Sequence, residues 1–330
     1  MKGRRGLHVE VLGLLACDAS LALVLEVWSQ LALGGVVAEE AVMTPSQAFD
    51  PAEFKRNIRT EWRSAAAGWR KWLQVVEAEE GGQRHSAKLV ELAELQVGAS
   101  VLDVGGGYGE PSLTAARAVG PRGRVVCTDI SPEMLAVARD RAVDAGLANV
   151  EFVACDAEEL EFDDESFDAV LSRATLMFLP DVAGTLKRIR GFLKSAGRLA
   201  ASVWGPQPLV QFSAAFPVVV EELALPPAPP GRPGAFALSD PGRIAELAAQ
   251  AGFRGVETGT VSVMFETDSP EQYTEFIRDV APQLTTLLGD QPAAVQERVW
   301  EKVTDTYRRF QGADGRVRTE NQAIWFKGVK

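Results

Sequence analysis

Between Val101 and Glu110 the chain reads Val-Leu-Asp-Val-Gly-Gly-Gly-Tyr-Gly-Glu, with Gly105, Gly107 and Gly109 at every second position after a short apolar run. Glycine at such positions lets the backbone approach a ligand closely or take positive φ. A dinucleotide fingerprint, G-x-G-x-x-G, would need glycine at 110, where this chain has Glu110. The loop therefore suits a ligand with no pyrophosphate to cradle. Three carboxylates extend the pattern: Asp103 closes one apolar run, Asp129 a second, and Asp156 follows a third. A carboxylate at the second strand end can accept both hydroxyls of a ribose, and one at the third can accept from the amino group of adenine. Asp103 can order the loop and the cationic amino-acid end of the ligand. Each alone is as readily a solvated turn aspartate; three at successive strand ends select an adenosine-bearing cofactor.

These residues need a scaffold that brings strand ends together. Val101–Val104, Arg124–Thr128, Val150–Ala154, Phe167–Ser172 and Arg198–Val203 read as strands, separated by helices at Ser112–Val119, Pro132–Ala145 and Val182–Leu193. Parallel neighbours need a crossover helix, so this alternation predicts a doubly wound, mostly parallel α/β sheet. Upstream, Phe54, Ile58, Trp62, Ala65, Trp69, Trp72 and Val76 recur at spacings of three and four, one stripe on one helix. A short helix over Ser86–Leu95 follows. The stretch 206–241, with its prolines between Pro226 and Pro233, reads as too Pro-rich for a regular core element. A helix at Arg243–Ala251, a strand at Val256–Phe265, helices over about 270–288 and 291–310, and a strand around Ala323–Gly328 complete the reading. The divisions expected are a leader or extra helix at 1–42, N-terminal helices over the cofactor site at 43–97, the cofactor-binding core at 98–205, and a cap insertion with the last strands at 206–330.

The core segment resembles a class I S-adenosylmethionine-dependent methyltransferase, of a type similar to the ubiquinone/menaquinone-biosynthesis C-methyltransferases. Val101–Gly109 resembles the family's first motif and Val126-Cys-Thr-Asp-Ile-Ser-Pro-Glu-Met-Leu135 its second. Cys155-Asp-Ala-Glu158 resembles the adenine-contacting motif, Phe167-Asp-Ala-Val-Leu-Ser-Arg173 the fourth-strand motif, and Leu193–Val203 the fifth. The resemblance implies a seven-stranded Rossmann-like sheet with a helical N-terminal segment and a helical cap. It also implies that Gly105, Gly106, Gly107 and Gly109, with Asp103, border the methionine part of S-adenosylmethionine. By the same resemblance Asp129 holds the ribose, Ile130 and Met134 flank the adenine, Asp156 and Ala157 cap it, and Arg173 lies beside the methyl group. Gly106 stands where many relatives carry Ala or Cys, a departure read as minor. Ser172-Arg-Ala-Thr after the fourth strand is not the Asn-Pro-Pro-Tyr sequence of amide and exocyclic-amine methylators.

The sulfonium is already an activated methyl donor, so transfer is an in-line displacement to which the protein contributes positioning and desolvation. A general base is needed only where the acceptor must lose a proton. The chain has two histidines, His8 and His85. His85, ahead of a helix start, reads as a surface helix-terminus residue that can reach the site, and Tyr108 and Glu110 are the nearer candidates. Trp62, Trp69 and Trp72 read as a face packed on the sheet domain and also as an aromatic wall for the acceptor. Met177 and Phe212, with Phe216, Phe236 and Met264, read as acceptor-pocket or cap-core residues. An apolar cap points to a small apolar or aromatic acceptor. The alternatives are an S-adenosylmethionine-binding enzyme of another reaction type and a non-catalytic binding protein on the same fold.

Composition bounds the rest. A net charge of −11, spread along the chain, disfavours nucleic acid as a partner. Cys17, Cys127 and Cys155 lie far apart, so neither a metal site nor a disulfide framework is expected, and the cysteines read as free thiols in a reducing cytoplasm. Met1-Lys-Gly-Arg-Arg5 and the apolar stretch to Leu33 resemble a signal peptide, but Glu10, Asp18 and Glu26 interrupt it, and no membrane span is expected. A small-molecule substrate and a monomer or homodimer complete the expectation.

Overall fold

The computed structural model describes residues 49–226 and 231–330, and the stretch read as a leader lies outside them. Helix α1, Pro51–Lys71, begins where Asp50 accepts from the Ala52 N–H and Pro51 occupies the first turn. Prolines there lose no hydrogen bond, and Asp or Ser ahead of them satisfies an orphan donor. The same Asp/Ser-Pro device starts the helices that follow Ser131, Asp240 and Ser269. The tryptophan stripe does not stay on one helix: Trp72 ends α1, and a single turn, Leu73–Val76, and a wide turn, Glu79–Gln83, lead into α2, Arg84–Leu92.

The sheet then forms from β1 (Ser100–Val104), β2 (Arg124–Asp129), β3 (Val150–Ala154), β4 (Phe167–Arg173) and β5 (Leu193–Trp204). Between them run α3 (Ser112–Val119), α4 (Pro132–Asp144) and α5 (Val182–Phe192). Seven strands lie in the order β3-β2-β1-β4-β5-β7-β6, with β6 at Arg254–Thr267 and β7 at Val317–Val329. The first five pair parallel, and β7 runs antiparallel to both β5 and β6. The order reverses between β1 and β4, which puts the ligand crevice of such a sheet at the carboxyl ends of β1 and its neighbours. The central strands β1, β2 and β4 are buried on both faces, as parallel strands flanked by helices require. Val101, Val125 and Ala200 pack on α2 and α3, whereas Leu102, Val126 and Val170 pack on α5 and the helix α7 described below.

Several elements differ from their sequence reading. The Pro-rich stretch contains a helix, α6, Ala215–Glu222, whose Ala215, Phe216 and Val219 are buried. Pro217 falls in its first turn, where proline is tolerated, and the proline cluster begins only at Pro226. After α7, Pro241–Gln250, the helix expected over 270–288 is two, α8 (Pro270–Val280) and α9 (Pro282–Gly289). Pro282 explains the break, since a residue before proline is pushed out of the helical region and Ala281 sits at φ −116°, ψ 73°. Helix α10 runs Ala293–Arg308. Strands β6 and β7 are longer than the apolar patterns suggested because they pair with each other from Arg254 to Thr267. Helices α8–α10 are thus inserted between the last two strands. With α6 and the α1 region they bury a second core around Tyr273, Phe276, Leu284 and Tyr307, stacked on the sheet's ligand end. Among the described residues no helix is long and apolar enough to cross a membrane.

Candidate active site

The carboxyl ends of the strands open into a cavity of about 1140 Å³, part of it open to solvent, roofed by α1. Its floor is the glycine loop. Gly105 has φ +73°, and a Cβ there would stand 2.3 Å from the Thr175 side chain, whose hydroxyl donates to the Gly105 carbonyl at 3.0 Å. Gly106 is more constrained than its sequence suggested. A Cβ at 106 would meet Cys127 Sγ at 2.6 Å and Asp103 Oδ2 at 2.7 Å, so alanine is not a minor change here. Gly107 donates its N–H to Asp129 Oδ2 at 2.9 Å, and Ser131 N donates to Oδ1 at 2.8 Å. The Asp129 carboxylate thereby stands fixed at the end of β2 with lone pairs left for a diol. The surrounding protein desolvates it and pushes its carboxyl up to about 6. Ile130 and Met134 line the same end, next to Asp156 and Ala157 at the end of β3.

Asp103 lies beneath the loop rather than in the cavity, fully buried, its Oδ2 accepting from Ser112 Oγ at 2.6 Å. Burial raises its carboxyl to about 7, against the Ser112 hydrogen bond. Its Oδ1 is buried without a partner. A buried acceptor left bare costs free energy. The unsatisfied charge beneath the loop and the fixed Asp129 acceptor fit S-adenosylmethionine, whose cationic end and ribose diol would oppose them.

The end of the cavity toward β4, β5 and β6 is built differently. Arg173, at the end of β4, donates to Glu77 Oε1 at 3.1 Å, to the Gly82 carbonyl at 3.0 Å and to Ser86 Oγ at 2.9 Å. It also bonds the Tyr108 hydroxyl, which itself donates to Glu77 at 2.7 Å. Arg173 and Glu77 are 8% and 9% exposed, so this is an ion pair largely out of water. Burial pushes the Tyr108 phenol above its ordinary value, with Glu77 in the same direction, and keeps it protonated. Glu110 accepts from Thr114 Oγ1 at 2.7 Å and faces Arg141 at 3.4 Å; burial and Glu77 raise its carboxyl. Trp69 stacks on Tyr108 at 5.2 Å, and Trp62 meets Phe178 edge-on at 5.8 Å. The Trp69 Nε1–H is buried without a partner. His85 is not a surface residue: it is 3% exposed, lines the cavity and sits 6.0 Å from the Trp204 ring, because the wide turn at Glu79–Gln83 folds α2 inward.

Most of the residues singled out in the sequence meet in this one cavity: Gly105, Gly106, Gly107, Tyr108, Glu110, Asp129, Ile130, Met134, Asp156, Ala157, Arg173, Trp62, Trp69 and His85. Gly109 packs against α4 and Asp103 lies below the floor. Trp72 turns away, donating its indole N–H to Asp279 and meeting Phe276. Met177 is buried in the core below the sheet ends, and Phe212 stands behind Trp204 and Phe265. Phe216 belongs to the cap core and Phe236 is buried, neither lining the cavity, and Met264 points out of it. Lys55, Glu77, Phe178, Trp204 and Phe265 were not legible as site residues. Trp204, at the end of the fifth strand, carried the one usable signal, an aromatic at a strand's carboxyl end.

Residues 95–219 match a family model described as a methyltransferase domain. The ubiquinone/menaquinone biosynthesis C-methyltransferase of Cellvibrio japonicus is 40% identical over 111 residues, 33% of this chain and 45% of that protein. The aklanonic acid methyltransferase of a Streptomyces species is 40% identical over 113 residues, 34% of this chain and 51% of that protein. The chain thus spans about half the length of the curated relatives it matches. The crystal structure of a [4+2]-cyclase covers 83% of this chain and 95% of its own at a TM-score of 0.53 and 19% identity, a likeness of fold alone.

Proposed function

We propose that this chain, in which residues 95–219 form a class I S-adenosylmethionine-dependent methyltransferase domain, transfers a methyl group from S-adenosylmethionine to a small aromatic or apolar acceptor. One observation carries the reading. A single enclosure under α1 joins the fixed Asp129 carboxylate and glycine loop at one end to a wall of Trp204, Phe265, Val263 and Phe178 at the other. The cavity is thus lined continuously from the fixed carboxylate to the aromatic wall, so an acceptor held by the wall would stand beside a cofactor held by the loop. Rings of this kind hold flat apolar molecules by area and edge-to-face contact. The names of the matched relatives, a quinone-pathway C-methyltransferase and an aklanonic acid methyltransferase, support a small organic acceptor.

Bound S-adenosylmethionine supplies an electrophilic methyl group. The chain's own part is to hold Asp129 and the loop in place, exclude water beneath α1, and present the acceptor in line. Calorimetry with S-adenosylmethionine, S-adenosylhomocysteine and NAD tests the cofactor, and transfer of a radiolabelled methyl group to a panel of phenols, hydroquinones and aliphatic amines tests the acceptor. Binding of the two sulfur ligands and not NAD, with label on the hydroxyaromatics, is expected. Absence of binding by both sulfur ligands removes the reading.

A further inference from the structure

The acceptor end of the cavity holds one titratable group that the ion pairs leave free. His85 Nε2 lies 2.7 Å from Ser202 Oγ on β5, and its Nδ1 has no partner among the described residues. The neighbouring polar groups are committed. Arg173 is held by Glu77, Ser86 and the Gly82 carbonyl, the Tyr108 hydroxyl donates to Glu77, and Glu110 takes its bonds from Thr114 and Arg141. Trp204 on β5 faces the ring from the side, adding no charge.

We infer that His85 is the base of the reaction, taking at Nδ1 the proton of an acceptor O–H or acidic C–H while Ser202 Oγ accepts from Nε2–H and fixes the ring. The inference rests on the methyltransferase reading above. Burial and the nearby Arg173 hold the imidazole well below its ordinary value, so at neutral pH it is the uncharged form that can accept. In the transfer the acceptor atom bonds to the methyl carbon, the carbon–sulfur pair leaves on sulfur, and the acceptor's proton passes to Nδ1. His85 gains its positive charge as the sulfonium loses its own, so the buried cavity keeps the same net charge and the low basicity imposed by Arg173 is offset at that moment. An acceptor with no proton to lose gains nothing from this arrangement. The site therefore favours a phenol, an enol or an acidic carbon over a tertiary amine.

The whole chain has only His8 and His85, so ¹⁵N-histidine labelling gives two ring systems, and His85→Asn assigns them. In the full-length protein saturated with S-adenosylhomocysteine at pH 7, we expect His85 as the Nε2–H tautomer, with Nδ1 a bare acceptor whose signal moves on addition of 1-naphthol. Ser202→Ala should mix the tautomers while the protein stays folded. For a phenol methylated in the panel above, His85→Asn should lower kcat by about 10²- to 10⁴-fold, with S-adenosylhomocysteine affinity held within about threefold, as expected for a group that makes no bond to the cofactor. An Nδ1–H tautomer overturns the inference, and so does an Nδ1 signal that 1-naphthol leaves unmoved. Either result with S-adenosylhomocysteine still bound removes His85 as base and leaves the methyltransferase reading standing; loss of cofactor binding in the wild-type protein removes both.

Discussion

At the β1–β3 end of the cavity the polar groups, Lys55 of the roof apart, sit within a few residues of a strand end. Gly107 is tied to Asp129 at the end of β2, Asp129 to Ser131 one turn on, and Asp156 to Glu158 two residues away. At the β4–β6 end the groups come from distant segments. Arg173 is held by Glu77, 96 residues earlier, and His85 by Ser202, 117 residues later. One half is a property of local turns, and the other exists only once α1, α2, β5 and β6 have docked. Local construction suits a cofactor common to many enzymes, since the turn geometry survives changes elsewhere. Construction from distant segments lets the acceptor wall change without disturbing the cofactor end.

The largest effect that tests this contrast falls on the distant pair. Arg173→Met leaves Glu77 buried beside Tyr108 with no cation, and breaking a buried ion pair costs about 3–5 kcal/mol. Chemical denaturation should show a loss of that size, partly restored by Glu77→Gln in the same chain. A loss under about 1 kcal/mol would mean that solvent reaches the pair and that the acceptor half does not depend on it. Asp129→Ala acts at the other end. It should weaken S-adenosylhomocysteine by about 1.5–3 kcal/mol, roughly 10- to 150-fold, the scale of lost hydrogen bonds to a charged group. Calorimetry reads this directly, and an unchanged affinity would remove the ribose assignment.

The same contrast governs what the sequence disclosed. The loop glycines, Asp103, Asp129 and the parallel core were legible because strand, turn and helix start are contiguous, and their spacing alone specifies the geometry. The inward turn of His85 was not, because it depends on the wide turn at Glu79–Gln83 and on a strand-five serine. Trp72 and Trp69 are three residues apart and looked equivalent in the stripe. The helix break at Trp72 sends one to Asp279 and leaves the other stacked on Tyr108. Periodicity predicts that a face is buried and is silent on which partner covers it. The need for Gly106 likewise came from Cys127 on the neighbouring strand, a contact no local pattern encodes.

Protonation sharpens the comparison: of the three raised carboxyls, Glu110 is held at the acceptor end beside Arg141, and Asp103 and Asp129 belong to the cofactor end. Asp103 at about 7 and Asp129 at about 6 bind protons more tightly folded than unfolded. The ligand-free protein therefore gains stability from them as pH falls through 7 toward 4, and loses it again as they ionise. On the proposed cofactor reading, a cationic amino group near Asp103 and ribose hydroxyls on Asp129 would favour the ionised forms on binding. S-adenosylhomocysteine affinity should fall by about tenfold or more from pH 8 to pH 5, since each pH unit below a group's value costs up to tenfold. Calorimetry in two buffers of different ionisation enthalpy should show protons released near pH 6–7. Affinity that is flat with pH would separate Asp103 from the ligand.

The smallest expected effect lies where the two kinds of construction meet. Lys55, near the start of α1, reaches Asp156 at 3.0 Å and Glu158 at 2.5 Å, tethering the roof to the locally built end. Burial lowers its pKa, but the bonds to Glu158 and Asp156 outweigh that and hold it above its ordinary value. A part-exposed pair of this kind contributes about 0.5–1 kcal/mol. Lys55→Ala removes the tether and also frees Asp156 to accept from an adenine amino group, two changes of opposite sign for binding. S-adenosylhomocysteine affinity should then move by less than about threefold and become less sensitive to salt. Hydrogen exchange at the start of α1 should rise with the tether gone. A tenfold loss of affinity instead would mean that Lys55 itself meets the ligand, and the cofactor end would then depend on the roof as the acceptor end does.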